Sequence, residues 1–460
     1  MTLSKPYTGV LSMIGNTPMI KVTKLDTGPC ELFLKLESQN PGGSIKDRIG
    51  LAMIEAAERD GKIKPGGTII EATAGNTGLG LALVAAQKGY RMVLIIPDKM
   101  SQDKIFHLKS LGAEVIMTRS DVGKGHPEYY QDMAERIQSE TPNSIWINQF
   151  ANPANPQAHI DTTAPEIWEQ MDHDVDAIVA GVGSGGTISG IGRFFRDVQP
   201  NLKMILADPD GSVVGDTVKT GRMPDEVGSW LVEGIGEDFI PPNCDLSVIA
   251  DAVYVSDKEA FGAARDLVAA EGILGGSSTG TLLAAALKWC RAQTEPKRVV
   301  SFVCDTGNKY LAKVYNDAWM VDNGLLDVEE HGDLRDLVTR RADKGQVVTL
   351  KTNETLATAY GRMRMFDVSQ IPVMDTDGHI AGLLDESDLM LAVHESDDAF
   401  NEAVGDHMVT KLETVAPSDP VDALLPLFRA EKVAIVKDAD TFYGLITRVD
   451  FINYMRRRGK

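Results

Sequence analysis

The feature that most constrains the fold is a regular alternation of two kinds of segment through the first 320 residues. Short apolar runs typical of buried strands occupy residues 32–36, 68–71, 92–96, 177–180, 204–206 and 299–303. Helical patterns lie between them, at residues 77–88, 131–139, 188–198, 258–271 and 279–291. Continuous apolar strands that alternate with helices predict an α/β fold whose mainly parallel sheet is covered on both faces.

Length and charge narrow the class of protein. A chain of 460 residues exceeds one compact core, so two or three domains are expected. The net charge of −20 argues against nucleic acid or an anionic membrane as a partner, since both favour a basic face. Four cysteines without a C-x-x-C pair predict free thiols. With neither a signal pattern nor a long apolar run, the protein is expected to be cytoplasmic.

An internal repeat follows a change in composition after residue 320. We expect a first domain over residues 1–320 and an acidic, glycine-containing linker over residues 321–337. The sequence GLLDESD at 382–388 returns as GLITRVD at 444–450, an offset of 62 residues (450 − 388). Each unit predicts strand, helix, strand, turn, strand and helix, so the two units would pack as one α+β module over residues 338–457.

One glycine loop has the pattern of a phosphate site. Residues 181–187 fit G-x-G-x-x-G between a strand and a helix, and Asp208 follows at the end of the next strand. Backbone amides and a helix N-terminus attract an anion, which leaves a dinucleotide, another phosphate or a structural turn open.

Three further loops occur where strands meet helices, the usual place for ligands in such sheets. Lys46 in residues 40–48 is either a solvated turn lysine or an imine-forming amine. Thr73, Asn76 and Thr77 form a nest for a carboxylate, or Asn76 or Thr77 is an ordinary N-cap. Residues 275–280 offer a helix cap or a further binding loop. An NAD enzyme usually has its glycine loop early, whereas here it comes late.

Taken together, five motifs resemble those of one family. NPGGSIKDR at 40–48, ATAGNTG at 72–78, QFANP at 149–153, GSGGT at 183–187 and GGS at 275–277 are similar to the cysteine synthase/cystathionine β-synthase family of pyridoxal-phosphate (PLP) enzymes. The motifs have the family's order and cover about residues 5–318. The resemblance implies a fold type II catalytic domain of two open α/β subdomains.

The resemblance also implies roles. Lys46 would hold PLP as an imine and carry the Cα proton, and Asn76 would bond the ring's phenolic oxygen. The cofactor phosphate would lie on Gly183, Ser184, Gly185, Gly186 and Thr187. Ser277 would face the ring nitrogen, which a hydroxyl does not keep protonated, and this favours loss of a β-substituent. The substrate carboxylate would be held by Thr73, Ala74, Asn76, Thr77 and Gln149.

Two reactions of the family compete, each passing through an enzyme-bound aminoacrylate. One joins L-serine to L-homocysteine, giving L-cystathionine and water for cysteine biosynthesis by transsulfuration. The other adds sulfide to O-acetylserine, or releases hydrogen sulfide. We favour the first, because the repeat resembles the tandem CBS-motif (Bateman) module. Glu233 and residues 97–101 also resemble the synthase form, although Glu233 alone could be a surface acid.

Some positions depart from the family's pattern. The loop that often reads Gly-Tyr-Asp-Phe is GEDF at 236–239, which makes the thiol pocket less defined. The haem-binding arm has no counterpart, so we expect neither haem nor a metal. Modules of the C-terminal kind commonly bind adenosyl ligands, for which Thr447 and Asp450 fit fully. Asp388 is kept, but Asp385 stands where Ser or Thr belongs. Adenosyl regulation and a purely architectural or oligomerising role both stay open, as do a homodimer and a tetramer.

Overall fold

The structure is a computed structural model that describes residues 6–73, 75–98, 102–123, 125–327, 331–439 and 441–458. The chain divides into two compact units, Met1–Asn316 and Asp317–Lys460. Both units mix helices with sheets, which confirms the predicted α/β and α+β classes. Among the described helices, none has the length and apolar character needed to cross a membrane.

The first unit contains two sheets. Its strands are β1 (Met19–Lys21), β2 (Glu31–Lys35), β3 (Thr68–Glu71), β4 (Arg91–Pro97), β5 (Glu114–Thr118), β6 (Ser144–Trp146), β7 (Ala177–Ala180), β8 (Lys203–Pro209), β9 (Ile249–Val255) and β10 (Arg298–Phe302). Within the described residues, one sheet has the order β1-β2-β10-β7-β8-β9 and the other β5-β4-β3-β6. Only the β1/β2 pair is antiparallel among these described pairings.

Helices of the first unit connect and cover these strands. They are α1 (Lys46–Arg59), α2 (Asn76–Lys88), α3 (Gln102–Ser110), α4 (Tyr130–Glu140), α5 (Ala154–Ala158), α6 (Ala164–Gln170), α7 (Gly186–Val198), α8 (Val213–Thr220), α9 (Asp257–Glu271) and α10 (Ser277–Arg291). Strands β3 and β7 are buried along their whole length, which explains their continuous apolar sequence. Helices α1, α2, α7 and α10 each begin at one of the four loops singled out in the sequence.

The second unit has the repeated pattern that the sequence predicts. Its helices are α11 (Asp317–Asp322), α12 (Leu356–Phe366), α13 (Glu386–Glu395), α14 (Leu424–Arg429) and α15 (Arg448–Arg458). Its strands are β11 (Leu350–Lys351), β12 (Gln370–Met374), β13 (Ile380–Asp385), β14 (Thr414–Val415), β15 (Ala434–Asp438) and β16 (Thr441–Ile446). Each repeat forms a small sheet with one parallel and one antiparallel pair.

Part of the stretch that composition marks as a linker is buried. Leu334 and Leu337 lie in the hydrophobic core of the second repeat, together with Val415 and Val436. The segment therefore contributes to the core of the second unit.

Candidate active site

A cavity of about 270 Å³ lies in the first unit, where the loops after several strands meet. Parallel strands place their carboxyl ends at one edge of a sheet, so residues distant in sequence converge there. The structure brings together most of the residues that the sequence predicts for a site. Those that line the cavity are Lys46, Thr73, Asn76, Thr77, Gln149, Gly183, Ser184, Gly185, Thr187 and Glu233. Ala74 and residues 99–101 lie outside the described residues.

Lys46 is the first residue of α1 and is half-buried in the cavity wall. Within the described part of the chain, its amine has no hydrogen-bond partner. Burial lowers its pKa, although Cys304, Glu237 and Asp305 partly oppose the effect. The interpretation as a solvated turn lysine is therefore wrong. An amine with a lowered pKa is a better nucleophile, because more of it is uncharged.

Asn76 is held from both ends of its amide. Its Nδ2 donates to Asp305 Oδ2 at 2.7 Å, and its Oδ1 accepts from Lys309 Nζ at 2.6 Å. The N-cap of α2 is Gly75, so Asn76 and Thr77 are not caps as the alternative interpretation required. Asp305 and Lys309 were missed in the sequence, although Asp305 follows a strand at its carboxyl end and that position could have drawn attention to it.

The predicted carboxylate nest comes together in one wall. Thr77 Oγ1 donates to Gln149 Oε1 at 2.6 Å, and both side chains are buried. Thr73 Oγ1 accepts from the amide of Gly75 at 3.2 Å. These groups present hydroxyl and amide functions beside the free amides at the start of α2, an arrangement suited to an anion.

The predicted phosphate loop connects β7 to α7. Gly185, its N-cap, has φ 80°, a conformation that favours glycine. Ser184 Oγ accepts from Asn155 Nδ2 at 2.9 Å, and Thr187 Oγ1 lies 3.1 Å from His159 Nε2. Burial keeps the pKa of His159 well below its ordinary value, so the ring is neutral. Neither Asn155 nor His159 was anticipated from the sequence, since neither lies in the glycine motif.

Asp208, the acid that a dinucleotide site would require, is directed elsewhere. Its Oδ2 accepts from the amide of Gly215 at 2.7 Å, and it is not among the described residues that line the cavity. Its pKa is raised to about 6 by burial. The dinucleotide interpretation of this loop is therefore not supported by the geometry.

Ser277 and Glu233 are joined directly. The amide of Glu233 donates to Ser277 Oγ at 3.1 Å, which leaves the serine proton free to be donated to another acceptor. Ser277 is buried, and Ser278 beside it lines the cavity. The Glu233 carboxylate bonds Lys104 and, at 2.7 Å, Lys313. Burial opposes its ionisation, but the two lysines hold its pKa below the ordinary value, so it is more than a surface acid.

In the second unit, the predicted ligand residues close helix ends. Thr447 donates to Asp450 Oδ2 through its amide at 2.8 Å and its hydroxyl at 2.5 Å, while Thr339 donates to Asp450 Oδ1. Asp385 caps α13 by accepting from the amide of Asp388, and Asp388 accepts from the amide of Asp385 at 3.0 Å. Asp385 thus has a structural reason to stand where Ser or Thr was expected.

Comparison with known families agrees with this geometry. The model of the pyridoxal-phosphate-dependent enzymes matches residues 10–305, and that of the CBS domain matches residues 333–395 and 404–457. A cystathionine β-synthase of Apis mellifera is 36% identical over 98% of this chain and 91% of its own length. One of Mus musculus is 40% identical over 82% of this chain and 68% of its own length.

Two solved structures are similar to the first part of the chain. A hydrogen sulfide-producing enzyme of Fusobacterium nucleatum is 36% identical, with a TM-score of 0.62 over 67% of this chain and 99% of its own. An O-ureido-L-serine synthase is 31% identical, with a TM-score of 0.63 over 69% of this chain and all of its own. The chain thus belongs to the pyridoxal-phosphate-dependent enzymes, in the cystathionine β-synthase family of lyases that carry two CBS domains.

Proposed function

We propose that the protein condenses L-serine with L-homocysteine to give L-cystathionine and water, by β-replacement. The observation that carries the proposal is the cavity in which Lys46 lies with Asn76 and the phosphate loop. The nearly full-length similarity to cystathionine β-synthases, CBS domains included, supports this choice of substrates.

The residues present fit pyridoxal phosphate. Lys46 supplies an amine with a lowered pKa, and the glycine loop supplies backbone amides at the start of a long helix. Ser277 retains a proton that suits an unprotonated ring nitrogen, and Asn76 faces the same cavity. When bound, the cofactor would supply an electron sink for negative charge at the substrate Cα.

The chain's own residues would then do three things. Thr73, Thr77 and Gln149 orient the substrate by its carboxylate, which fixes the Cα–H bond relative to Lys46. The Lys46 amine, once released from the cofactor, takes and returns the Cα proton. The buried walls of the cavity limit water, which would otherwise compete with the thiol.

A second candidate is β-replacement with sulfide, from O-acetylserine or with release of hydrogen sulfide. The solved relatives named for hydrogen sulfide production and O-ureido-L-serine synthesis support it. Steady-state assays of serine plus homocysteine against O-acetylserine plus sulfide distinguish the two. We expect the first pair to be preferred, and turnover of the second pair alone would overturn the proposal.

For the second unit we propose an adenosyl-ligand site at Thr447 and Asp450, with an architectural or oligomerising role as the alternative. The hydroxyl and carboxylate before α15 support the first. Isothermal titration of the whole protein with S-adenosylmethionine and with AMP tests it, and no heat from either would overturn it. We further propose a cytoplasmic homodimer, possibly a tetramer, free of haem and metal, with domains at residues 1–320 and 338–457.

A further inference from the structure

Glu237 occupies the same cavity as Lys46 and has no role in the reaction as described so far. It is the residue at which the sequence departs from the tyrosine of the family's Gly-Tyr-Asp-Phe loop. Within the described part of the chain, its carboxyl has no hydrogen-bond or ion-pair partner, although the side chain is half-buried. A carboxyl without partners in a cavity is costly to keep unless it is protonated or meets a ligand.

The backbone around Glu237 is fixed on two sides. The amide of Gly236 donates to Val182 O at 2.8 Å, beside the phosphate loop. The amide of Glu237 donates to Ser212 Oγ at 3.2 Å, and its carbonyl accepts from the amide of Val213 at 3.0 Å. These bonds hold the residue at the cavity wall, so its carboxyl is positioned by the fold and not by a flexible loop.

The surroundings of Glu237 favour its protonated form. Burial raises its pKa to about 8, the neighbouring Asp238 raises it further, and Lys46 on α1 opposes both. Tyr130 on α4 also faces the carboxyl, and the negative charge of Glu237 contributes to the raised pKa of that phenol. At neutral pH the carboxyl therefore carries a proton that it can give up and regain.

We propose that Glu237 is a catalytic residue that donates a proton to the leaving hydroxyl of L-serine and then accepts the thiol proton of L-homocysteine. This inference rests on the proposed function. In the first half, the Cβ–O bond breaks and the hydroxyl leaves as water with the Glu237 proton. In the second, the S–H proton returns to the carboxylate while sulfur forms the Cβ–S bond. Each turnover thus restores protonated Glu237, and no oxidant or reductant is needed.

The step explains why a serine-using enzyme benefits from an acid at this position. Hydroxide is a poor leaving group and departs readily only as water, whereas acetate or chloride departs without a proton. Loss of the acid should therefore affect serine far more than a substrate whose leaving group is already stable as an anion. General acid catalysis typically contributes on the order of 10²- to 10⁴-fold.

The test compares Glu237→Gln with the wild-type holoenzyme in single half-turnovers without thiol. The absorbance change of the bound cofactor is followed by stopped flow after mixing with L-serine or with β-chloro-L-alanine. We expect the variant to react with serine on the order of 10²- to 10⁴-fold more slowly and with β-chloro-L-alanine at nearly the wild-type rate. Equal rates with serine would overturn the inference, as would equal losses with both substrates or a loss of cofactor affinity that accounts for the defect.

Asp238→Asn is the matched control, because Asp238 is exposed in the same loop and is not among the described residues lining the cavity. Its serine rate should be retained, but the decline of that rate at high pH should begin at lower pH, since the pKa of Glu237 would fall. A pH profile unchanged by Asp238→Asn and retained in Glu237→Gln would contradict the assignment. A wild-type enzyme that reacts with β-chloro-L-alanine but never forms cystathionine from serine would instead contradict the proposed function.

Discussion

Asn76 Nδ2 donates a 2.7 Å hydrogen bond to Asp305 Oδ2, although the two residues are 229 positions apart in the sequence. Lys309 Nζ donates to the other end of the same amide at 2.6 Å and to Gly42 O at 3.3 Å. An anion at Nδ2 and a cation at Oδ1 fix which way the amide points. The second Nδ2 proton is thereby left for a group in the cavity, which makes Asp305 and Lys309 positioning residues.

Replacing Lys309 with methionine should weaken cofactor binding. A hydrogen bond from a charged group contributes about 1.5–3 kcal/mol, which corresponds to roughly 10- to 150-fold in affinity. Titration of the apoenzyme with pyridoxal phosphate, followed by absorbance, measures the effect together with any change in the spectrum of the bound cofactor. Lys64→Met, at an exposed position, is the control and should bind normally. Unchanged affinity and spectrum in Lys309→Met would argue against the positioning role.

Substitution of Lys46 should abolish covalent attachment of the cofactor. Alanine removes the amine, while arginine keeps a positive charge but stays protonated and cannot act as the nucleophile. We expect both variants to lose turnover and the absorbance of the attached cofactor, while circular dichroism reports a normal fold. An active Lys46→Arg enzyme would show that charge, and not the amine, is what the site requires.

Gly186→Ala should disturb the phosphate loop through Asn155. A Cβ at Gly186 would lie 1.9 Å from Asn155 Oδ1, and Asn155 also bonds Ser184 Oγ and Gln149 O. Moving this buried amide costs about 1–3 kcal/mol in unmet hydrogen bonds, so phosphate binding should weaken about 5- to 150-fold.

The matched control is Gly262→Ala, in α9, where a Cβ would meet no atom within 4 Å. It should leave cofactor affinity unchanged and raise the free energy of unfolding by about 0.5–1 kcal/mol, because alanine is the better helix former. Cofactor titration and chemical unfolding of both variants separate the two effects. Equal cofactor affinity in both variants would refute the contact with Asn155.

Glu71 should make stability depend on pH. Burial raises its pKa to about 7, against hydrogen bonds from the amides of Ala72 and Gln149. The folded state therefore holds a proton that the unfolded state releases near pH 4.5, and the free energy of unfolding falls as pH rises from about 4.5 to 7. The decline from this group is about 3 kcal/mol at most. In Glu71→Gln that component should vanish, so unfolding curves at several pH values that run parallel to the wild type would contradict it.

Much of the architecture could be predicted because it follows from local patterns. Strands β3 and β7 have the bounds that their apolar runs predict, and α2 and α10 begin within two residues of the predicted positions. The weaker signals were missed: β1 and β6 have three residues each, and their short runs do not separate from turns.

The sequence by itself determined the cofactor chemistry, since a lysine, a carboxylate nest, a phosphate loop and a serine loop appear in the order of one family. Each is a short contiguous motif, so its chemistry is legible without knowing where the chain goes. Only the tertiary structure decided which residues support those motifs. Asp305, Lys309, Asn155 and Glu237 are isolated residues whose significance depends on burial and on partners brought near by the sheets. Such proximity is a property of the packed chain, and no local pattern encodes it.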